Sequence, residues 1–177
     1  PIRKSGTQFQ IVKPEGDESE GYPFQSMCQD DDGIWFGSNR KIYRYTFSDS
    51  SLTLFNELEE YPAFLINNIA MMDGHTLLCG SHNGLILMDT ETGEVWKAPF
   101  TLFNEITSTL IDSRGWIWIS FYNNGIGVFE KDGRLIRRYS TSDSDLSNDV
   151  VLCMTEHDSS IWAGTDGGGI NIIDKET

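Results

Sequence analysis

Aromatic and amide side chains form the densest group of chemically useful residues in this 177-residue chain. Trp116 is followed, five residues later, by the run Phe121-Tyr122-Asn123-Asn124. Aromatic rings stack on the C–H faces of sugars, and amide groups exchange hydrogen bonds with hydroxyl groups. We therefore predict that one ligand-binding group for an oligosaccharide contains Trp116, Phe121, Tyr122, Asn123 and Asn124. The alternative for the same residues is packing between neighbouring structural units.

Residues that could perform catalysis or bind a metal show no suitable pattern. The three histidines, His75, His82 and His157, fall in different predicted turns and share no metal-ligand spacing. Most acidic residues recur in every unit, so a turn-capping role explains Asp112 and Asp158 better than a single active site. We predict no catalytic residue, no metal site and no cofactor, and therefore a chain that is not itself an enzyme.

Glycine and cysteine supply no specific site either. The run 167–169 is a glycine triplet, but it precedes a predicted strand instead of a helix, so we expect a backbone turn and not a phosphate loop. The three cysteines, Cys28, Cys79 and Cys153, have no metal-binding spacing. We expect three small buried side chains, with a Cys28–Cys153 bridge as the alternative if the chain closes into a ring.

One phrase that recurs four times defines the elements that carry these residues. It reads Ile34-Trp35-Phe36-Gly37-Ser38 in its first copy, and its second residue recurs after 43, 40 and 44 residues, at Leu78, Trp118 and Trp162. A repeat of this length is typical of β-propellers, with one blade per unit. An acidic turn precedes each phrase and a second alternating strand follows it, which favours antiparallel hairpins.

Each unit is predicted to contain four antiparallel strands. A nearly continuous apolar run such as 149–155 is expected innermost, buried on both faces next to the propeller axis. A run with alternating charges such as 134–139 is expected outermost, with one wet face. We therefore predict an all-β fold, a β-propeller of about four blades. The single segment 1–177 divides into approximate repeats at 22–55, 64–100, 104–140 and 147–177, with an outer strand plus linker at 1–21.

The ends of the chain do not decide whether the propeller closes into a ring. The fourth unit stops before any outer strand, while the alternating stretch 7–13 precedes the first complete unit. That stretch is either the outer strand that closes the last blade, or the end of a preceding blade in a longer array. We favour a piece of a longer array, because the chain opens on Pro1 without an initiator Met.

The charge of the chain excludes two classes of partner. Its formal net charge is −14, from 27 acidic and 13 basic residues. Nucleic acid and anionic membrane surfaces both need an excess of Lys and Arg, so we expect no nucleic-acid partner and no direct membrane contact. No apolar run approaches the roughly 20 residues of a membrane span. The charge does not exclude neutral ligands such as sugars.

The fourth unit is the most regular copy of the repeat. It contains Leu146-Ser147-Asn148-Asp149-Val150, then Ile161-Trp162-Ala163-Gly164-Thr165, then Gly168-Gly169-Ile170 and a final Asp174. These motifs resemble the regulator-propeller repeats found in the sensing portion of bacterial hybrid two-component systems. The third unit departs from the family pattern at Ser120, and the second and first units depart further.

The resemblance implies a periplasmic sensor region in which two seven-bladed propellers precede a β-sandwich, a membrane span, a histidine kinase and a response-regulator output. Such sensors recognise breakdown products of glycans and switch on genes for their use. On this basis we expect part of a larger, seven-bladed propeller that contributes to ligand capture or to a dimeric scaffold. Its expected contacts are an oligosaccharide, neighbouring propeller blades or a homodimer partner.

Two other functions stay open on the sequence alone. One is a stand-alone secreted propeller module that binds a partner protein. The other is an enzyme similar to the streptogramin-inactivating lyases, which are also propellers with a Trp-Phe phrase like that at 35–36. A lyase needs a His base and a metal-binding Glu on one face, and the sequence shows no such set.

Overall fold

The protein is a β-propeller segment of four blades. The computed structural model describes residues 10–15, 23–61, 65–100 and 105–175, and all regular secondary structure within these ranges is β-strand. The strands form four separate antiparallel sheets that follow one another along the chain. We call these sheets blades I to IV.

Blades I to III have four strands each, and blade IV has three. Blade I contains β1 (Ser26–Gln29), β2 (Gly33–Gly37), β3 (Lys41–Thr46) and β4 (Ser51–Glu57). Blade II contains β5 (Asn68–Asp73), β6 (Thr76–Ser81), β7 (Gly84–Asp89) and β8 (Val95–Lys97). Blade III contains β9 (Ile106–Ile111), β10 (Ile117–Phe121), β11 (Gly125–Phe129) and β12 (Leu135–Tyr139). Blade IV contains β13 (Val151–His157), β14 (Ser160–Thr165) and β15 (Gly169–Asp174).

The strand order within each blade is the order of the sequence, as predicted. Each strand pairs only with its neighbours along the chain, and every pairing is antiparallel. The first strands of successive blades, β1, β5, β9 and β13, contact one another. They therefore form the inner layer, and the last strand of each complete blade lies outermost.

Burial follows this radial order. The middle strands of blade III, β10 and β11, are buried at every residue because blades II and IV cover their two faces. The outer strand β12 is buried at no residue and keeps one face in solvent. A nearly continuous apolar run is therefore a mark of a middle strand between two blades.

The hydrophobic core lies between the blades in three clusters. Trp35 of blade I packs with Leu77 and Cys79 of blade II in the first cluster. Leu78 of blade II packs with blade III in the second, and Trp118 of blade III packs with blade IV in the third. Each blade thus has a front face, which carries the second residue of the repeated phrase, and a back face, which covers the preceding blade.

The prediction for the fourth inner strand is wrong. The run 149–155 was expected to be buried on both faces, but most side chains of β13 are half-buried or exposed, and Leu152 is clearly exposed. The physical reason is that no blade covers the front face of blade IV, whereas β5 and β9 lie between two blades. The apolar pattern predicts a burial that a four-blade array does not supply.

The alternating stretch 7–13 is seen only in part. Residues 7–9 lie outside the described residues, and residues 10–13 form no strand. The backbone N–H of Glu15 donates to the carbonyl oxygen of Leu52 at 2.9 Å, so this part of the chain lies beside blade I. The described part of the stretch does not complete the three-stranded sheet of blade IV.

The cysteines occupy two different environments, and all three are free thiols. Cys79 is buried and Cys28 is half-buried, and both belong to the cluster between blades I and II. Cys153 is exposed on blade IV. The expectation of three buried cysteines is therefore wrong for Cys153, because it lies on the uncovered front face, and a Cys28–Cys153 bridge is absent.

Candidate functional site

Every blade has two ends, which carry different connections. The upper end holds the turns between second and third strands and the passages from one blade to the next. The lower end holds the turns between first and second strands and between third and fourth strands. Loops vary more easily than strands, so binding residues are expected at these ends and not within the blades.

The predicted ligand-binding residues are divided between the two ends. Trp116 immediately precedes β10 at the lower end, and Tyr122, Asn123 and Asn124 immediately follow it at the upper end. The five residues of β10 span roughly 17 Å at about 3.3 Å per residue. The structure therefore brings the three upper residues together and separates Trp116 from them.

Phe121 has a packing role. It is the last residue of β10, is only 1% exposed, and belongs to the cluster between blades II and III. Its side chain follows Ile117 and Ile119 on the back face of blade III, as strand alternation requires. A ligand at the upper end cannot reach its ring without displacing blade II.

The turn Tyr122–Asn124 is held by hydrogen bonds of its own. The backbone N–H of Tyr122 donates to the carbonyl oxygen of Glu105 at 2.9 Å, and the Asn124 side-chain amide donates to the carbonyl oxygen of Tyr122 at 2.8 Å. Asn123 has a φ of 56°, a left-handed conformation that Asn tolerates better than most residues. The turn therefore presents the exposed side chains of Tyr122 and Asn123 in a fixed arrangement.

A contact between a histidine and a carboxylate lies next to this turn and was not found from the sequence. His82 Nδ1 is 3.6 Å from the Glu105 carboxylate, and both side chains are about half exposed. Since Glu105 also accepts the Tyr122 N–H through its carbonyl oxygen, His82 of blade II and Tyr122 of blade III are close neighbours. We call His82, Glu105, Tyr122 and Asn123 the upper-end group.

The signal that could have found this group lies in the repeat. The fourth residue of each phrase is small, and it is Gly37 in the first copy. The residue two positions further along the chain is Asn39, His82, Tyr122 or Asp166 in the four copies. All four are exposed at the upper end, and all four differ in chemistry. When one position varies in chemistry among otherwise regular units, we expect that position to serve ligand recognition and not folding.

The acidic turns of the lower end are structural. Asp30 accepts the Trp35 indole N–H at 2.7 Å and two N–H donors of Arg44, also at 2.7 Å. Asp112 accepts the Trp118 indole N–H at 3.0 Å and caps its own turn through the N–H of Trp116 at 2.9 Å. The turn-capping role predicted for Asp112 is confirmed.

Asp158 does not repeat this arrangement. It lies in a tighter turn between His157 and Ser160 and has a φ of 51°. Its backbone makes the turn itself, so its carboxylate is directed elsewhere, 3.5 Å from the His157 ring nitrogen Nε2. The turn-capping prediction therefore fails for Asp158, because blade IV uses a shorter connection.

The carboxyl group of Asp30 has an altered pKa. Burial alone would raise its pKa, but the hydrogen bonds from Arg44 and Trp35 favour the charged form and hold the pKa at about 2. The guanidinium of Arg44 also lies 4.5 Å from the centre of the Trp35 ring. Asp30, Trp35 and Arg44 therefore form one polar brace on the front of blade I.

Trp116 belongs to a second contact region, between blades III and IV at the lower end. The guanidinium of Arg114 stacks on its ring at 4.0 Å and donates to the carbonyl oxygen of Lys175 at 2.8 Å. Glu156 accepts hydrogen bonds from Ser113 and pairs with the Lys175 ammonium. These contacts join blades III and IV and favour a structural role for Trp116.

A cleft of about 370 Å³ lies beside this region. Its walls include Trp116, Trp118, Ile136 and Tyr139 of blade III. A second cleft of about 350 Å³ continues it along β15. Between blades I and II, by contrast, Val95 of the outer strand β8 packs against the hydrophobic cluster. The clefts therefore mark the place where blade IV lacks an outer strand among the described residues.

The described residues contain neither a cluster of metal-binding side chains nor a membrane-spanning helix. No group of three or more His, Cys, Asp or Glu side chains there could hold a metal ion. No helix among these residues is long and apolar enough to cross a membrane.

The family described as two component regulator propeller matches residues 18–40, which include the first repeated phrase. Residues 18–40 are therefore similar to one repeat of that family. This match confirms the resemblance predicted from the fourth unit, although the matched copy is the first. A search of curated proteins finds no match to the chain.

Solved structures share the fold of these repeats. The computationally designed Ika4 protein is 14% identical, with a TM-score of 0.67 over 95% of this chain and 99% of that one. The extracellular domain of BT4673, named as a hybrid two component system from B. thetaiotaomicron, is 20% identical, with a TM-score of 0.66 over 84% of this chain. The corresponding domain of BT3049 from the same organism is 15% identical, with a TM-score of 0.59 over 86% of this chain.

This chain spans only a part of the two bacterial domains. It covers 21% of the BT4673 domain and 28% of the BT3049 domain. At these identities the likeness shows the propeller fold. The fold of this chain is therefore that of a part of these domains.

Proposed function

We propose that this chain is part of the extracytoplasmic sensor propeller of a hybrid two-component system. In this proposal it lies in the periplasm, forms four blades of a larger, seven-bladed propeller, and binds glycan breakdown products without transforming them. Binding then controls genes for glycan use through a histidine kinase in the same protein. The observation that carries the proposal is the match of the regulator-propeller family to the first repeat.

The upper-end group is the proposed ligand site. The half-exposed ring of Tyr122 offers a stacking surface for a sugar, and Asn123, His82 and Glu105 offer donors and acceptors for hydroxyl groups. These residues come from two blades, so a bound sugar would contact both. The net charge of −14 favours a neutral oligosaccharide over an acidic one.

A ligand of this kind signals by a shift between arrangements of the whole receptor. It can do so only if it binds one arrangement more tightly than another. Because the interface between blades II and III fixes His82 relative to Tyr122, this site is the same in every arrangement, and the discrimination comes from further contacts of the bound sugar with a neighbouring part of the receptor. The proposed role of the chain is therefore to hold one half of a recognition surface in place.

Calorimetric titration with a panel of neutral oligosaccharides tests the proposal. We expect at least one sugar to bind, and we expect Tyr122→Ala to weaken its binding on the order of 10-fold or more, since truncation of a dominant aromatic contact costs about 2 kcal/mol or more. Trp116→Ala is the matched control, because Trp116 lies at the opposite end of β10. Its affinity should stay within about twofold of wild type.

Two results would contradict the proposed site. One is equal binding by Tyr122→Ala and wild type. The other is a loss of binding in Trp116→Ala while Tyr122→Ala is unaffected, which would move the site to the lower end. Failure of every sugar in the panel to bind would count against the glycan ligand itself.

A further inference from the structure

A second group of exposed side chains lies one blade away from the upper-end group. Asn39 of blade I occupies the position of the repeat that His82 occupies in blade II, and it is exposed. An isolated antiparallel bridge joins Asn39 to Leu65, which lies on the passage into blade II and is 44% exposed. The two groups therefore lie at the same end of two adjacent blade interfaces.

The two groups have the same chemical composition. Arg40 Nη2 is 3.6 Å from Glu57 Oε1, and both side chains are partly exposed. In the upper-end group, a nitrogen of His82 and a carboxylate oxygen of Glu105 lie at the same separation. Each group also has one exposed asparagine and one exposed apolar or aromatic side chain. Both groups thus combine donors, acceptors and an apolar surface, which together recognise a sugar ring and its hydroxyl groups.

Arg40 adopts a backbone conformation that arginine rarely takes. Its φ is 54°, whereas the corresponding turns of blades III and IV place Asn123 and Gly167 in this left-handed region. Glycine or asparagine would make the turn at lower cost, so turn formation does not account for the arginine. A strained residue of this kind is typical of functional positions, and the guanidinium of Arg40 offers a planar fork of N–H donors.

The passage into blade II holds this second group in place and leaves room beside it. The backbone N–H of Leu58 donates to the carbonyl oxygen of Arg40 at 2.7 Å, which fixes the passage to the turn. A cleft of about 300 Å³ adjoins the group, and its walls include Glu57 and Tyr61. This volume is at the lower end of the range for small-molecule sites, so the cleft suits one part of a larger ligand. A group that is fixed before binding costs less to order.

We propose that the ligand is an extended oligosaccharide that occupies both groups at once, with Asn39, Arg40, Glu57 and Leu65 as its second subsite. Neighbouring sheets pack about 10 Å apart, so equivalent positions on adjacent blades are separated by roughly that distance. A single sugar ring cannot bridge this gap, whereas a chain of several rings can. The inference rests on the proposed function, and it adds that the length of the sugar chain determines its affinity.

Calorimetric titration with matched short and long sugars tests the second subsite. The probes are maltose and maltohexaose, cellobiose and cellohexaose, and xylobiose and xylohexaose. We expect the hexasaccharide of at least one pair to bind wild type on the order of 10-fold or more tightly than its disaccharide, because only the longer chain reaches both groups.

Two substitutions remove the second subsite in different ways. Arg40→Gly removes the guanidinium and suits the turn, since glycine accepts a positive φ. It should lower the hexasaccharide affinity to about that of the disaccharide, while the disaccharide affinity stays within about twofold of wild type. Leu65→Asp, at an exposed position, should have the same effect without altering the turn.

Arg134→Ala is the matched control, because it removes an Arg–Glu pair at the lower end of blade III. It should change neither the disaccharide affinity nor the hexasaccharide affinity. Thermal unfolding of each variant confirms that it is folded.

The possible failures separate this inference from the proposed function. Equal binding of disaccharide and hexasaccharide by wild type, with Tyr122→Ala still weakening both, would overturn the inference and leave the proposed site intact. A gain with chain length that survives both Arg40→Gly and Leu65→Asp would also overturn it, because another surface would then hold the rest of the chain. Failure of every probe to bind would count against the proposed glycan ligand, and the inference would fall with it.

Discussion

At the scale of single residues, the acidic side chains of this chain divide into those that brace the fold and those that face solvent. Asp30 is paired with Arg44 and Trp35, whereas Asp31 in the same turn is exposed. Removal of one partner from a partly buried charged group leaves the other group without its hydrogen bonds. The brace therefore contributes to stability, although Asp30 lies in a turn that looks in the sequence like the other acidic turns.

We expect Asp30→Asn to lower the free energy of unfolding by about 1–3 kcal/mol at pH 7. The pKa of Asp30 is held at about 2 in the folded chain, below the ordinary value of 3.8 for an aspartate. A carboxyl group with a lowered folded pKa stabilises the fold above its unfolded pKa, and this contribution is lost as the pH falls towards 2. The difference between wild type and Asp30→Asn should therefore shrink from pH 5 to pH 2.

Urea unfolding across this pH range measures the effect, and Asp31→Asn is the matched control. The control should change the free energy of unfolding by no more than about 0.5 kcal/mol. A pH-independent difference between wild type and Asp30→Asn would contradict the account, because it would mean that the charge of Asp30 does not matter.

The candidate site shows what residue types alone can predict. The sequence grouped Tyr122 and Asn123 with Trp116 and Phe121, whereas the structure places Trp116 at the far end of the strand and Phe121 in the core. A strand of five residues separates its ends by more than a small ligand can span. His82 and Glu105 could not be added from spacing, because they meet Tyr122 only through the contact of two blades.

At the scale of elements, the sequence repeat predicts most of the strand architecture. The number of strands, their order and their antiparallel pairing follow from alternating runs separated by tight turns, and all are observed. Local patterns predict local pairing well because each strand pairs only with its neighbours in sequence. The burial of β13 was predicted wrongly because it depends on a neighbouring blade, which no pattern within the unit describes.

The small residue of the phrase tests the packing between blades. Gly37→Ala places a methyl group against Ile66, so we expect it to lower the free energy of unfolding by about 1–3 kcal/mol. Gly164→Ala meets only the Cys153 sulfur, which can rotate away, so its cost should be about 0.5 kcal/mol or less. Chemical denaturation of both variants measures the difference.

Gly164→Ala serves as the control for Gly37→Ala, since both residues occupy the same position of the repeated phrase. Equal costs would contradict the account, because they would show that the glycine serves the strand itself and not the approach of the next blade.

At the scale of the whole molecule, the array of four blades is open at both ends. The front of blade IV exposes Ile170 and the back of blade I exposes Met27, whereas the corresponding residues of blade II, Leu85 and Ile69, are buried between blades. The sequence left the choice between a closed ring and a longer array undecided, because both use identical units. Closure depends on the angle between blades, which is set by packing along the whole array.

The most direct test of this open architecture is maleimide labelling of the native chain, read by intact mass spectrometry. The relevant thiol is that of Cys153, which pairs with Gly164 on the front face of blade IV. Cys153 is exposed on that face, while burial raises the pKa of the Cys28 thiol to about 12 and raises that of Cys79 as well. The account predicts one adduct per chain, at Cys153, and two more only after denaturation. A native chain that takes up no maleimide, or that also reacts at Cys28 or Cys79, would contradict it.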